Sequence, residues 1–331
     1  MPMYVRKLYG NELGYRNGMP HKAGRFFFIS MEFTSFFPPL SEEILNDSVY
    51  LRISPPFSDQ VVLSRYIYHN DSFTKTPPGT RNEYRLYLNN DIDPGGEFFD
   101  PDDIIIMRKI NRNDQETFKI YKYTQKDDQT KYNRLDQILT QEARNGSSHA
   151  LIEEEQLAFL NLPEEVDFEV GGLIISEVEK PKAFEIPIFD ENRRTYIIGT
   201  QTKKVRSQSF RDLVMLFYGY KCAITGEDML IEYNSASNLQ AAHIVAVGHG
   251  GGDNPANGLP LIQDLHWAFD YGFFTITDDF KIKVHPQAKS STWLSKLDGE
   301  ELLLPEDSRA KPNLEALAWH RDNLYGRFSK N

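Results

Sequence analysis

The stretch between Ala241 and Asp270 restricts this chain more than any other. Ala241-Ala-His243-Ile-Val puts a histidine near the end of a predicted strand, and Asn257-Gly-Leu follows beyond a Gly-rich loop. Leu265-His266-Trp-Ala-Phe-Asp270 then has helical spacing. Spacing of i and i+4 sets His266 and Asp270 on one helical face, where both can address one ion. An imidazole and a carboxylate with open positions suit Mg²⁺ or Mn²⁺, or a transition ion, and leave room for a phosphate oxygen. His243, expected opposite that helix, is of the residue type that serves as a general base and takes a proton from water. Asn257 can orient the histidine through a backbone contact. Taken singly, each residue is commonplace: a strand-end histidine is most often structural, and an i, i+4 His/Asp pair is often a surface pair. The specificity lies in the full order, set between a Cys222-Ala-Ile-Thr-Gly turn and a Gly272-Phe-Phe-Thr-Ile-Thr hairpin.

The rest of the chain divides into three. Residues 1–126 read as all-β, with short aromatic and β-branched runs such as Val61–Tyr68 and Glu83–Leu88 broken by Gly, Pro, Asn and Asp. Many short strands with frequent turn signals predict a barrel or pseudobarrel. Residues 127–200 read as an acidic, partly helical connector, with helical spacing over Tyr132–Ala143 and His149–Leu160. Residues 201–331 are mixed: helices over Phe210–Tyr220, Leu261–Tyr271 and Asn313–Phe328, a strand over Leu239–Val247, and a hairpin through Phe273–Val284. The fold class is therefore a multidomain α+β protein.

Net charge is −11, which taken alone argues against a nucleic-acid partner. The excess is local. Between Asp127 and Asp190, fifteen acidic residues face five basic ones, whereas residues 1–30 carry Arg6, Lys7, Arg16, Lys22 and Arg25 against Glu12. Phosphate binding responds to potential within about 8–10 Å, not to the total. Cys222 is the single cysteine, which excludes an internal disulfide or a multi-cysteine zinc site and makes a reducing cytoplasm the expected location; Cys222 itself is expected to be a buried packing residue. No apolar run approaches the roughly 18 residues of a membrane span.

The stretch from Phe210 to Pro286, with the final helix, resembles the HNH nuclease family in its variant with AAHI, NGL and LHxxFDxG. The resemblance implies a ββα-metal fold and phosphodiester hydrolysis leaving 5′-phosphate and 3′-hydroxyl ends. His243 matches the general base, Asn257 the middle asparagine, His266 the helical metal ligand and Asp270 the second helical ligand position. Many HNH enzymes carry a further ligand just before the base; here that residue is Ala242.

The N-terminus, Val5-Arg-Lys-Leu-Tyr-Gly-Asn-Glu-Leu-Gly through Pro20-His21-Lys22-Ala-Gly, resembles the opening of the EcoRII N-terminal effector domain family. Gly79-Thr-Arg81-Asn82-Glu83-Tyr-Arg85 resembles its second arm, and Phe99-Asp-Pro-Asp-Asp-Ile-Ile-Ile a later strand; the match spans roughly residues 3–125. The resemblance implies a DNA-binding pseudobarrel that grips the major groove with two arms. Arg81 and Arg85, alternating with Glu83, offer forks to guanine and an acceptor to cytosine. Arg6, Lys7, Asn11, Arg16, His21 and Lys22 would form the other arm.

Together the two resemblances imply a sequence-specific restriction endonuclease using Mg²⁺ (or Mn²⁺) on double-stranded DNA, acting as a homodimer or by two nicks, with a cognate DNA methyltransferase in the same system. Three alternatives stand beside it. One is a modification-dependent restriction nuclease of the methylcytosine type, and another a DNA-binding regulator with an inactive HNH domain. The third is an HNH effector triggered by a small signalling molecule.

Overall fold

The computed structural model describes residues 1–16, 19–20, 24–58, 60–112, 115–143, 147–163, 172–190, 200–227 and 238–329. The chain separates into two compact units, Met1–Glu179 with Ile198–Val205, and Lys180–Ile197 with Arg206–Asn331.

The first unit is built on β1 (Pro2–Lys7), β2 (Tyr15–Arg16), β3 (Met19–Pro20), β4 (Phe26–Ile29), β5 (Ser48–Ser54), β6 (Val61–His69), β7 (Glu83–Tyr87), β8 (Ile104–Arg112), β9 (Gln115–Tyr123), β10 (His149–Glu153) and β11 (Leu173–Ile175). Nine of these form one sheet in the order β10-β1-β8-β9-β5-β6-β7-β4, with β11 beside β6; β2 and β3 pair separately. The pairs β5–β9 and β6–β11 are parallel, and the other pairs are antiparallel. Runs such as Ile104-Ile-Ile-Met suit a pleat buried on both faces. Alternation sends Tyr4, Phe27, Leu51, Tyr66, Leu86, Ile105 and Phe118 to one core. Met3, Val5, Ile104 and Ile106 go to the opposite face, where α2 (Gln129–Glu142) covers them with Leu135 and Leu139. The sheet curls into a half-barrel around its aromatic face. A short helix, α1 (Asp71–Thr74), precedes β7.

Two expectations change here. Arg6 was expected on a DNA-contacting arm, but it lies on the inward side of β1 at 2% exposure. Its guanidinium donates to Glu12 Oε1 at 2.6 Å, and the Glu12 carboxylate also accepts from the backbone N–H groups of Tyr9 and Phe28. This is a core ion pair, since β1 alternation turns Arg6 to the same side as Tyr4. Removing one member of such a pair strands a buried charge. Arg6→Met is therefore expected to lower unfolding free energy by about 3–5 kcal/mol, read from denaturant midpoints.

The 127–200 stretch also differs from a connector. Its first predicted helix forms as α2, but His149–Leu160 folds as β10 followed by a 3-10 turn over Glu154–Leu160. β10 pairs with β1 and β11 with β6, so the acidic segment completes the first unit's sheet. The helical spacing misled because Ala150 and Ile152 alternate as strand residues against Met3 and Val5.

The second unit contains α3 (Lys180–Ala183), α4 (Thr200–Phe217) from Arg206 onward, the hairpin β12 (Leu239–His243) and β13 (Gly258–Ile262), α5 (Gln263–Asp270), the hairpin β14 (Phe274–Ile276) and β15 (Ile282–Val284), α6 (Thr292–Ser295) and α7 (Leu314–Asn323). One core joins Phe210 and Val214 of α4, Ala242, Leu259, Leu265, Phe269, Phe274 and Leu317, and Cys222 is buried within it. His320 of α7 stacks on Phe269 at 3.8 Å and bonds Thr275 Oγ1 at 2.9 Å, fixing α5 against β14.

Burial holds His69, His149 and His320 down at about 4, against an ordinary 6.5. All three stay neutral in the fold, while the unfolded chain takes up protons as pH drops below 6.5. Their stabilising share is thus complete above that value and is lost as pH falls toward 4. Denaturation midpoints should decline across this window, and His320→Gln should make the decline shallower. A flat midpoint would contradict neutral burial.

Candidate active site

His243 closes β12, opposite Gly258 of β13. A Cβ at Gly258 would lie 2.4 Å from Val214 Cγ2 and 2.8 Å from Phe210 Cζ, so the glycine lets α4 pack directly on the hairpin. That close approach carries the Phe210 ring onto the His243 imidazole, with centroids 3.7 Å apart and planes at 11°. His243 Nε2 meets Asp253 Oδ1 at 3.1 Å.

On α5, His266 Nε2 stands 3.3 Å from Asp270 Oδ2, as the i, i+4 spacing predicts. Nδ1 of His266 donates to Gln240 Oε1 at 2.7 Å, and Gln240 belongs to the same strand as His243. With its proton on Nδ1, His266 keeps a lone pair on the side of Asp270. Burial raises the Asp270 carboxyl above its ordinary range, and the imidazoles of His266 and His243 pull it back down. Gln240 thus ties the helical pair to the strand that ends in His243.

Asn257 is fully buried, and its amide bonds the loop backbone. Its Oδ1 accepts from Val245 N–H at 2.9 Å, and its Nδ2 donates to Val245 O at 3.0 Å and Gly252 O at 2.9 Å. It staples both ends of the loop that leaves His243 and returns through Asp253. Gly252 is needed where that loop meets the 184–190 segment: a Cβ there would fall 2.0 Å from Pro187 O.

The donor set fits a hard divalent ion. His266 and Asp270 supply one imidazole nitrogen and one carboxylate, leaving positions for water and phosphate. Among the described residues, no group of three or more His, Cys, Asp or Glu gathers to hold a metal. Ala242 lies in the core with no exposure, so a carboxylate at that position would be buried among apolar side chains.

Residues 222–277 match the HNH endonuclease family. The chain carries an HNH endonuclease domain. The matched span holds His243, Asn257, His266 and Asp270 together with Gln240 and Asp253. No curated protein matches the chain. One solved structure, a modification dependent TagI restriction endonuclease, is similar at 17% identity with a TM-score of 0.27; the alignment covers 79% of this chain and 62% of that one.

Sequence reasoning about the HNH domain missed Asp253, Phe210 and Gln240. Asp253 sits in the Gly-Gly-Asp-Asn-Pro run of the loop, where only folding shows that it reaches His243. Phe210 reads as one more apolar position of an amphipathic helix.

The expected reading residues of the first unit are mostly engaged internally. Lys7 pairs with Asp136 at 3.1 Å, and Asn11 is exposed. Arg81 precedes β7 and clasps Asp71 at 2.7 Å; Asn82 Oδ1 accepts from Tyr68 Oη at 2.7 Å. Glu83 and Arg85 share one face of β7, as the alternation predicts, and pair with each other. Arg85 also lies over the Phe26 ring at 4.0 Å. The side chain of Arg16, and His21 and Lys22 entirely, lie outside the described residues. Among the described residues, no helix is long and apolar enough to cross a membrane.

Proposed function

We propose that the chain is a restriction-type endonuclease in which His243 is the general base, and His266 and Asp270 hold a divalent cation, Mg²⁺ or Mn²⁺. The observation carrying this reading is the meeting of β12 and α5, where Gln240, on the strand that ends in His243, bonds His266 Nδ1 while His266 Nε2 stands 3.3 Å from Asp270. When bound, the cation would supply positive charge against the scissile phosphate and the developing 3′-oxyanion. The chain's own residues do the rest. His243 takes a proton from the attacking water, Gln240 orients His266, and Asn257 keeps the loop closed behind the base. The products would carry 5′-phosphate and 3′-hydroxyl ends.

A single site of this kind cuts one strand, so double-strand scission needs a homodimer or two successive nicks. The half-barrel is the proposed reader of double-stranded DNA, in the manner of the EcoRII-type pseudobarrel. Lys7, Asn11, Arg81, Asn82, Glu83 and Arg85 supply its base and phosphate contacts, together with Arg16, His21 and Lys22. Reading DNA then requires Arg81 and Arg85 to exchange their internal carboxylates for base edges. A cognate methyltransferase would protect host sites in the cytoplasm.

Incubation of methylated and unmethylated plasmid with the protein and Mg²⁺ or Mn²⁺, followed by sequencing of the ends, tests this reading. Site-specific cutting of unmethylated DNA is expected. Cutting confined to methylated DNA would replace the substrate with a modified one, and binding without nicking under either metal would leave a regulator. Cutting that begins only when a small molecule is added would mark a triggered effector.

A further inference from the structure

A neutral imidazole carries one N–H and one lone pair, and the partner at one nitrogen decides which nitrogen holds which. At His243 that partner is the Asp253 carboxylate, 3.1 Å from Nε2. An ionised carboxylate only accepts, so the proton sits on Nε2. We infer that Asp253 and Phe210 are positioning residues of the cleavage reaction: Asp253 fixes the Nε2–H tautomer of His243 and leaves Nδ1 as the proton acceptor, while Phe210 fixes the ring plane. The inference rests on His243 being the base.

Phe210 is 2% exposed and lies nearly parallel to the imidazole, so the ring cannot tilt without losing that contact. A half-turn of the ring would present carbon to Asp253 and forfeit a charge-assisted hydrogen bond. The carboxylate also faces the positive charge that forms on the ring when it accepts a proton.

Asp253 is itself held from both neighbours. Gly252 donates its N–H to Ile188 O at 2.8 Å and accepts from Asn257 Nδ2 at 2.9 Å. Asn254 donates its amide to Phe184 O and Ile186 O, and its Oδ1 accepts from Ala256 N–H at 2.9 Å. Residues 184–190 thus run as a strap along the loop, closed by Asp190 N–H to Gly250 O at 2.6 Å. The strap and Asn257 leave the Asp253 backbone little freedom, which is what a tautomer-setting partner requires.

The test uses the full chain with ¹⁵N-labelled histidine. Long-range ¹H–¹⁵N correlation should show His243 as the Nε2–H tautomer in the native protein, and as a mixture in Asp253→Ala. Asp253→Ala and the isosteric Asp253→Asn should slow DNA nicking about 10- to 100-fold with DNA affinity unchanged. Phe210→Leu should keep the tautomer and slow nicking less, because it removes the stack and not the proton assignment. A native Nδ1–H tautomer overturns the inference by itself. So does, in Asp253→Ala, a tautomer change with no loss of rate, or a loss of rate with the tautomer retained. The base reading fails separately, if His243→Ala nicks at the native rate.

Discussion

His243→Ala is expected to slow DNA nicking by about 10²- to 10⁴-fold and leave DNA affinity as it was. General-base catalysis is worth about that much, and the described groups that touch the imidazole do not offer a replacement. The stacked Phe210 ring has no proton acceptor, and Asp253 is committed to Nε2. Asn257 points its amide at the loop backbone. His243 ends a strand and is only partly buried, so the truncated protein should fold. Plasmid nicking under single-turnover conditions, beside a gel-shift measurement of binding, separates the two effects. Nicking at the native rate would assign the proton transfer to another group.

The second large effect is expected at α5. His266→Ala or Asp270→Asn should reduce nicking about 10²-fold or more at a metal concentration that saturates the native protein, since loss of phosphate neutralisation removes several kcal/mol from the transition state. Each variant should also weaken binding of Mn²⁺ in calorimetry without DNA. The two residues form the paired ligand set of α5, and Gln240 orients one of them, so Gln240→Ala should give a milder form of the same loss. Normal Mn²⁺ binding with His266 and Asp270 both replaced would place the cation elsewhere.

Much of the HNH domain was legible because its pattern is locally encoded. The i, i+4 relation of His266 and Asp270 survives any tertiary arrangement that keeps the helix, and the β14–β15 hairpin follows from its Asp-Asp turn. The contacts that arm His243 were not legible. Phe210 is drawn to it by the absence of a side chain at Gly258, and Asp253 by a loop whose path is set by Asn257 and the 184–190 strap. In the N-terminal unit, the run of aromatic and β-branched segments announced a barrel-like sheet. Its two outer additions were hidden, since β10 reads as helix by spacing and β11 is three residues long. Arg6 shows the same limit from the other side: a basic residue in a basic stretch looks like a phosphate contact until alternation along β1 turns it inward to Glu12.

The late arrival of β10 and β11 has a practical consequence for anyone dissecting the molecule. Clipping the chain after residue 126, where composition shifts, would strip α2 from Met3, Val5, Ile104 and Ile106 and leave the hydrogen-bonding edge of β1 open. Such a piece invites strand-to-strand clumping. An autonomous front half must run on at least through Glu179, the end of the first unit's continuous part.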